Sequence, residues 1–199
     1  MKTYTIQKKP DGPDFWSLIP ALSIDCPLWS DPKGITASAR LCYDETAIYV
    51  NLSAVEEQIR AEYTSVLDFP CEDSCLEFFF CPMPQDRRYF NIEFNPNCCL
   101  YLGLATDRYD LVRLLPQTPV LTPKSARTPD GWSITYQIPV SFIRHFFPEF
   151  QAVSGGSIRA NCFKCGDLTP NPHYLSWNPV DSPTPEFHRS QDFGLMYFA

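Results

Sequence analysis

Proline interrupts this chain too often for long helices, and the apolar residues between the prolines recur at alternate positions. There are 20 prolines in 199 residues, and each one removes a backbone donor and fixes φ. Alternation of apolar and polar side chains is the period of a strand with one face buried. It recurs over residues 35–40, 47–55, 76–81, 89–95, 100–105, 132–138, 157–164 and 193–198. Turn signals separate the runs, among them Tyr43-Asp44-Glu45-Thr46 and Pro129-Asp130-Gly131. Only residues 56–63 and 141–147 read as short helices, the second with Ser141 as its N-cap. An all-β sandwich or barrel in a single domain is expected, without repeats or low-complexity tracts.

Composition narrows the function classes. Apolar residues make up 44% of the chain and aromatics 15%, enough for a packed core. The formal charge of -7, with no Lys/Arg cluster, disfavours nucleic acid and anionic membrane as partners. Residues 1–10 lack the apolar stretch of a leader, and nine cysteines at irregular spacing read as reduced. A cytoplasmic location is expected.

One hairpin stands out. Cys75 to Phe80 reads Cys-Leu-Glu-Phe-Phe-Phe, with Glu77 amid apolar neighbours, where an unpaired carboxylate is costly. After a turn-like linker, Tyr89 to Asn95 alternates strictly. Phe90, Ile92 and Phe94 form one face, and Asn91, Glu93 and Asn95 the other. The polar face, with Glu77, is the candidate site. Carboxylates and amides bind sugar hydroxyls as planar two-point partners, and an aromatic ring suits the apolar C–H face of a sugar. Arg40, Arg159, Asn161 and Lys164 are further candidates for the same concavity.

In order along residues 28–198, several segments resemble the family 9 carbohydrate-binding modules and the wider DOMON-like β-sandwiches. They are Leu28-Trp29, the strand ITASARLCYDETAIYVNLSAVEE, Glu-Asp-Ser-x-x-Glu-Phe-Phe, and Tyr-Phe-Asn-Ile-Glu-Phe-Asn-Pro. GWSITYQIPVSFI, SIRANCFKC and HYLSWNPVDSPTPEFHRSQDFGLMYF complete the series. The resemblance implies a two-sheet antiparallel β-sandwich and non-catalytic binding of a mono- or oligosaccharide. It marks Glu77 as a sugar contact and Trp177 as one of two tryptophans clamping the sugar. The other falls at or beside Cys71, where this chain has no aromatic; Phe69 and Tyr89 are the substitutes at hand.

Two other readings stay open. In one, the sandwich has lost its sugar site and serves as an interaction or structural domain. In the other, Glu77 and Glu93 face each other across a cavity as the acid and base of a glycan-processing enzyme. No cofactor is expected, and no metal site. Cys162 and Cys165 point to opposite faces if their strand continues, and Met83 and Met196 have no histidine at a haem-ligating spacing. A structural calcium held by loop carboxylates such as Glu72, Asp73, Asp181 and Asp192 is the one alternative, without an EF-hand-like spacing behind it.

Overall fold

The computed structural model describes residues 1–199. The alternating runs form strands that curl into two facing layers. One layer is built on β4 (Thr36–Tyr43), β5 (Ala47–Val55), β10 (Lys124–Thr128) and β11 (Gly131–Pro139), with β2 (Leu22–Ile24) paired to β4. The other runs β14 (Gly194–Phe198), β12 (Ser157–Cys165), β6 (Cys75–Cys81), β7 (Tyr89–Phe94), β8 (Leu100–Ala105) and β9 (Leu111–Arg113). Two short strands, β13 (Tyr174–Ser176) and β3 (Cys26–Pro27), extend it beside β12. The sheet is mixed rather than strictly antiparallel. The N-terminal strand β1 (Thr3–Lys8) pairs in parallel with β14 through Thr3–Ile6, then with β4 through Gln7 and Lys8.

The core is what alternation predicts. Leu41, Val50, Leu52, Trp132 and Ile134 from one layer meet Phe78, Phe80, Phe90, Ile92 and Phe94 from the other. Helix α1 (Val140–Phe146) closes one end, its Phe142 and Phe146 packing on Phe90 at ring distances of 5.3 and 5.5 Å. Pro139, not Ser141, stands at its N-cap. Every residue of β6 and β7 is buried, because the back of this layer is covered as well. A second cluster there joins Phe79, Cys81, Tyr89, Phe163 and Phe193. That double burial explains the unbroken Phe78-Phe79-Phe80 run.

Residues 56–63 form no helix. Their amides are taken by side chains from the next segment: Ser74 Oγ accepts from Arg60, and Asp73 Oδ2 from Glu62 and Tyr63. Glu56 is drawn inward. It accepts hydrogen bonds from Trp132 Nε1 at 2.6 Å and Ser74 Oγ at 2.9 Å and pairs with Lys164 Nζ at 3.2 Å, all buried. Lys164 also reaches the carbonyl of Cys165 at 2.9 Å and His173 Nε2 at 2.7 Å. His173 is held neutral, its pKa lowered to about 4 by burial and by the Lys164 charge. Its Nδ1–H donates to the Asn171 carbonyl, so Nε2 is the acceptor for Lys164. Lys164 thus lies on the far side of its strand from the polar face of the hairpin.

Candidate functional site

Glu77 and Glu93 are direct partners across the β6–β7 ladder, so alternation puts both on the back of the layer, away from the main core. Both are almost fully buried, at 2% and 6% exposure. They form the floor of a cavity of about 160 Å³. Trp29, Tyr174 and Phe187 form an aromatic wall, with Cys71, Cys165 and Asp167 around the floor and Arg108, Glu186 and His188 also lining it. The cavity is smaller than the roughly 300–1,000 Å³ typical of drug-sized ligands, which suits a small polar molecule. A wider groove of about 630 Å³ runs beside β2 and β4, lined largely by Ser and Thr hydroxyls and apolar chains. Two of those hydroxyls, Ser38 and Ser53, bond to each other, and no buried carboxylate faces the groove. The smaller cavity carries the chemistry.

Tertiary contacts set the wall. Trp29 adopts a positive φ of 54° and donates its indole N–H to the Ser182 carbonyl at 2.7 Å, joining segments far apart in sequence. Its ring lies 5.6 Å from both Tyr174 and Phe187, and Phe187 stacks on Phe163 at 4.1 Å. Arg108 and Glu186 pair at 3.2 Å. His188 Nδ1 and the Tyr89 hydroxyl share a hydrogen bond of 2.8 Å, which anchors the 185–188 segment over the second cluster.

The floor is electrostatically unusual. Cys165 Sγ donates to Glu77 Oε1 at 2.9 Å, and Asn91 Nδ2 donates to Glu93 Oε1 at 3.0 Å. Glu93 Oε2 and Asn91 Oδ1 are buried with no partner in the protein, an expensive arrangement unless something else supplies donors. Burial raises the Glu93 pKa to about 7; burial and the Glu93 charge push Glu77 well above the usual carboxylate range. The pair therefore holds a proton near neutral pH and offers an O–H donor beside carboxylate acceptors.

Burial also lowers the His188 pKa to about 4, helped by Arg108 and opposed by Asp107. The unfolded ring titrates near 6.5, so its contribution to stability is full above that pH and is lost as pH falls toward 4. The full shift corresponds to roughly 3 kcal/mol. Glu93 acts in the opposite sense: raised from 4.5 to about 7, it makes stability fall as pH rises through that window. The ring itself is therefore the clean observable. In an NMR titration the His188 imidazole is expected to stay neutral until about pH 4, and a midpoint near 6.5 would contradict its burial.

The other residues named from sequence lie elsewhere or are already engaged. Asn91 sits behind the floor, against Gly103, where it orients Glu93. Arg159 spends its guanidinium on the carbonyls of Pro84, Asp86 and Ser190. Asn161 is consumed by Asn178, donating to its carbonyl and accepting from its amide. Arg40 belongs to the opposite layer, where its Nε donates to the Ile19 carbonyl. Trp177, at 3% exposure, is a core side chain and no platform; a Cβ on Gly194 would lie 2.5 Å from its ring. Phe69, 53% exposed, stacks on Tyr101, and Tyr89 is buried in the second cluster, so neither lines the cavity.

The carboxylates weighed for calcium do not converge. Asp73 is used by Arg60, Asn95 and two backbone amides, and Asp192 by Arg189 and the Asp181 amide. Sequence reasoning missed Trp29, Tyr174, Phe187 and Asp167 as site residues. Leu28-Trp29 and the Phe187-His188 stretch were visible as family segments, but their convergence depends on long-range loop packing.

The family model for carbohydrate-binding family 9 matches residues 17–198. Among solved structures, a candidate carbohydrate-binding protein from Bacteroides uniformis superposes with a TM-score of 0.86 at 25% identity, covering 100% of this chain and 99% of the other. A family 9 module from Caldicellulosiruptor kristjanssonii in complex with glucose gives a TM-score of 0.71 at 11% identity, with coverage of 100% and 96%. A family 9 module from the same organism in complex with cellotriose gives 0.68 at 11% identity, with coverage of 99% and 93%. No curated protein sequence shows a significant match.

Proposed function

This chain belongs to carbohydrate-binding family 9, and from that premise we propose that it binds a sugar, without catalysis, in the cavity floored by Glu77 and Glu93. The observation behind this reading is the buried, unpartnered Glu93 Oε2 beside the Glu77 carboxyl, which burial and the Glu93 charge favour in its protonated form. Adjacent sugar hydroxyls would satisfy both, donating to one oxygen and accepting from the shared proton. Trp29, Tyr174 and Phe187 give the ring an apolar wall, in place of the Trp177 clamp. The cavity volume favours a single ring over a chain. Glu77 and Glu93 sit side by side on one floor rather than on opposite sides of a bond to be cleaved, which argues for holding over hydrolysis.

Calorimetric titration with a panel including glucose and cellotriose tests the reading. Binding by at least one monosaccharide is expected, weakened by Glu93→Gln about tenfold or more, since a hydrogen bond to a charged group contributes about 1.5–3 kcal/mol. Arg40→Gln is expected to leave the affinity unchanged. No heat with any sugar would refute the proposal.

A further inference from the structure

The floor of the cavity contains a second chemistry. Cys165 lies directly opposite Cys75 in the β12–β6 ladder, and both side chains fall on the same face as Glu77. The two Sγ atoms and a Glu77 carboxylate oxygen all lie within 4.8 Å of one another, and all three residues are buried. No other trio of Cys, His, Asp or Glu side chains in the chain converges this closely. The Cys162/Cys165 pair does not contribute as a unit, because β12 continues through Cys165 and sends Cys162 into the main core.

We propose that Cys75, Cys165 and Glu77 form a three-ligand site for a thiophilic divalent cation such as zinc, its fourth position open to the cavity. Two sulfurs and one carboxylate oxygen make a donor set that selects zinc over calcium or magnesium. With bonds of about 2.3 Å to sulfur and 2.0 Å to oxygen, tetrahedral geometry places ligand atoms roughly 3.5–3.8 Å apart. The observed spread needs to contract by only about 1 Å at its widest, which rotation about the cysteine χ1 bonds supplies. Without metal the thiols hold their protons: burial pushes Cys75 up, and the hydrogen bond with Cys75, followed by burial, pushes Cys165 up. On binding, two thiols and one carboxyl release their protons, so a +2 ion meets three anionic ligands and the site carries a net -1. The Lys164 charge lies close enough to influence Glu77 and favours that balance. The cation would occupy the floor on which the sugar is proposed to rest, but the site stands on these three side chains whether or not a sugar binds.

Cobalt(II) titration of the reduced, metal-free protein under anaerobic conditions is the direct test. One equivalent is expected to produce a thiolate-to-cobalt charge-transfer band with the intense visible bands of a tetrahedral centre, and zinc should displace it. Cys75→Ser and Cys165→Ser should each abolish the charge-transfer band or weaken cobalt binding at least a hundredfold. Cys26→Ser, at a distant cysteine, should leave both unchanged. Circular dichroism of each variant shows that it is folded before titration. Should a serine variant fail to fold, the X-ray absorption spectrum of the zinc-loaded wild-type protein decides the matter, with two sulfur neighbours at about 2.3 Å expected around the metal. Absence of the band, survival of the band in both serine variants, or a bound zinc without sulfur neighbours would overturn the proposal.

Discussion

Lys164→Met is expected to lower the unfolding free energy by about 3–5 kcal/mol, because it strands the Glu56 carboxylate inside the protein. Methionine keeps most of the aliphatic stem, so lost packing is a small part of the effect. What disappears is the 3.2 Å ion pair and the ammonium hydrogen bonds to His173 and to the Cys165 carbonyl. Trp132 and Ser74 still donate to Glu56, but neither carries a compensating charge. Adding Glu56→Gln should recover part of the loss, since the uncompensated charge is then gone. Urea denaturation of the wild type, both single variants and the double variant measures the coupling. A single-variant loss below about 1 kcal/mol would mean the buried pair contributes nothing net.

The second large effect concerns two tryptophans: Trp177, expected from sequence at the site but buried in the core, and Trp29, which lines the cavity. Trp177→Ala should destabilise the fold by about 3–5 kcal/mol, the usual cost of truncating a buried aromatic. At temperatures where the variant remains folded, its sugar affinity should match the wild type, since Trp177 does not line the cavity. Trp29→Ala should do the reverse, removing part of the cavity wall and the hydrogen bond to Ser182. Its loss of stability should be smaller because the ring is only half-buried, and its loss of affinity tenfold or more. Paired thermal melts and calorimetry separate the cases, and a binding defect in Trp177→Ala at full folding would return that residue to the site.

These contrasts show where the sequence was informative. The β6–β7 hairpin was legible because period-two alternation fixes faces without reference to the rest of the chain. It set Phe90, Ile92 and Phe94 in the core and brought Glu77 and Glu93 together. The resemblance carried the family and the fold. Residues decided by distant partners were not legible. Glu56 to Tyr63 has the composition of a helix turn, yet Asp73 and Ser74 capture its amides from a later segment. Trp177 has no local signal separating a platform from a core side chain; a glycine 17 positions on, leaving room for its ring, decides it. Lys164 looked like a partner for the polar face, but a strand that runs on to Cys165 sends it to the other side. The cysteines were weighed as neighbours in sequence, whereas the pair that converges does so across a ladder.

The N-terminal strand has a wider significance than its six residues suggest. Because β1 pairs first with β14 and then with β4, it is the only strand hydrogen-bonded into both layers. Unzipping it would uncover two raw edges at once, one on each layer, and unpaired edges are the natural templates for aggregation. The stretch beginning at Thr3 therefore acts as a clasp. While it is fastened, loss of order in either layer is felt by the other, so the sandwich should open as one body rather than leaf by leaf.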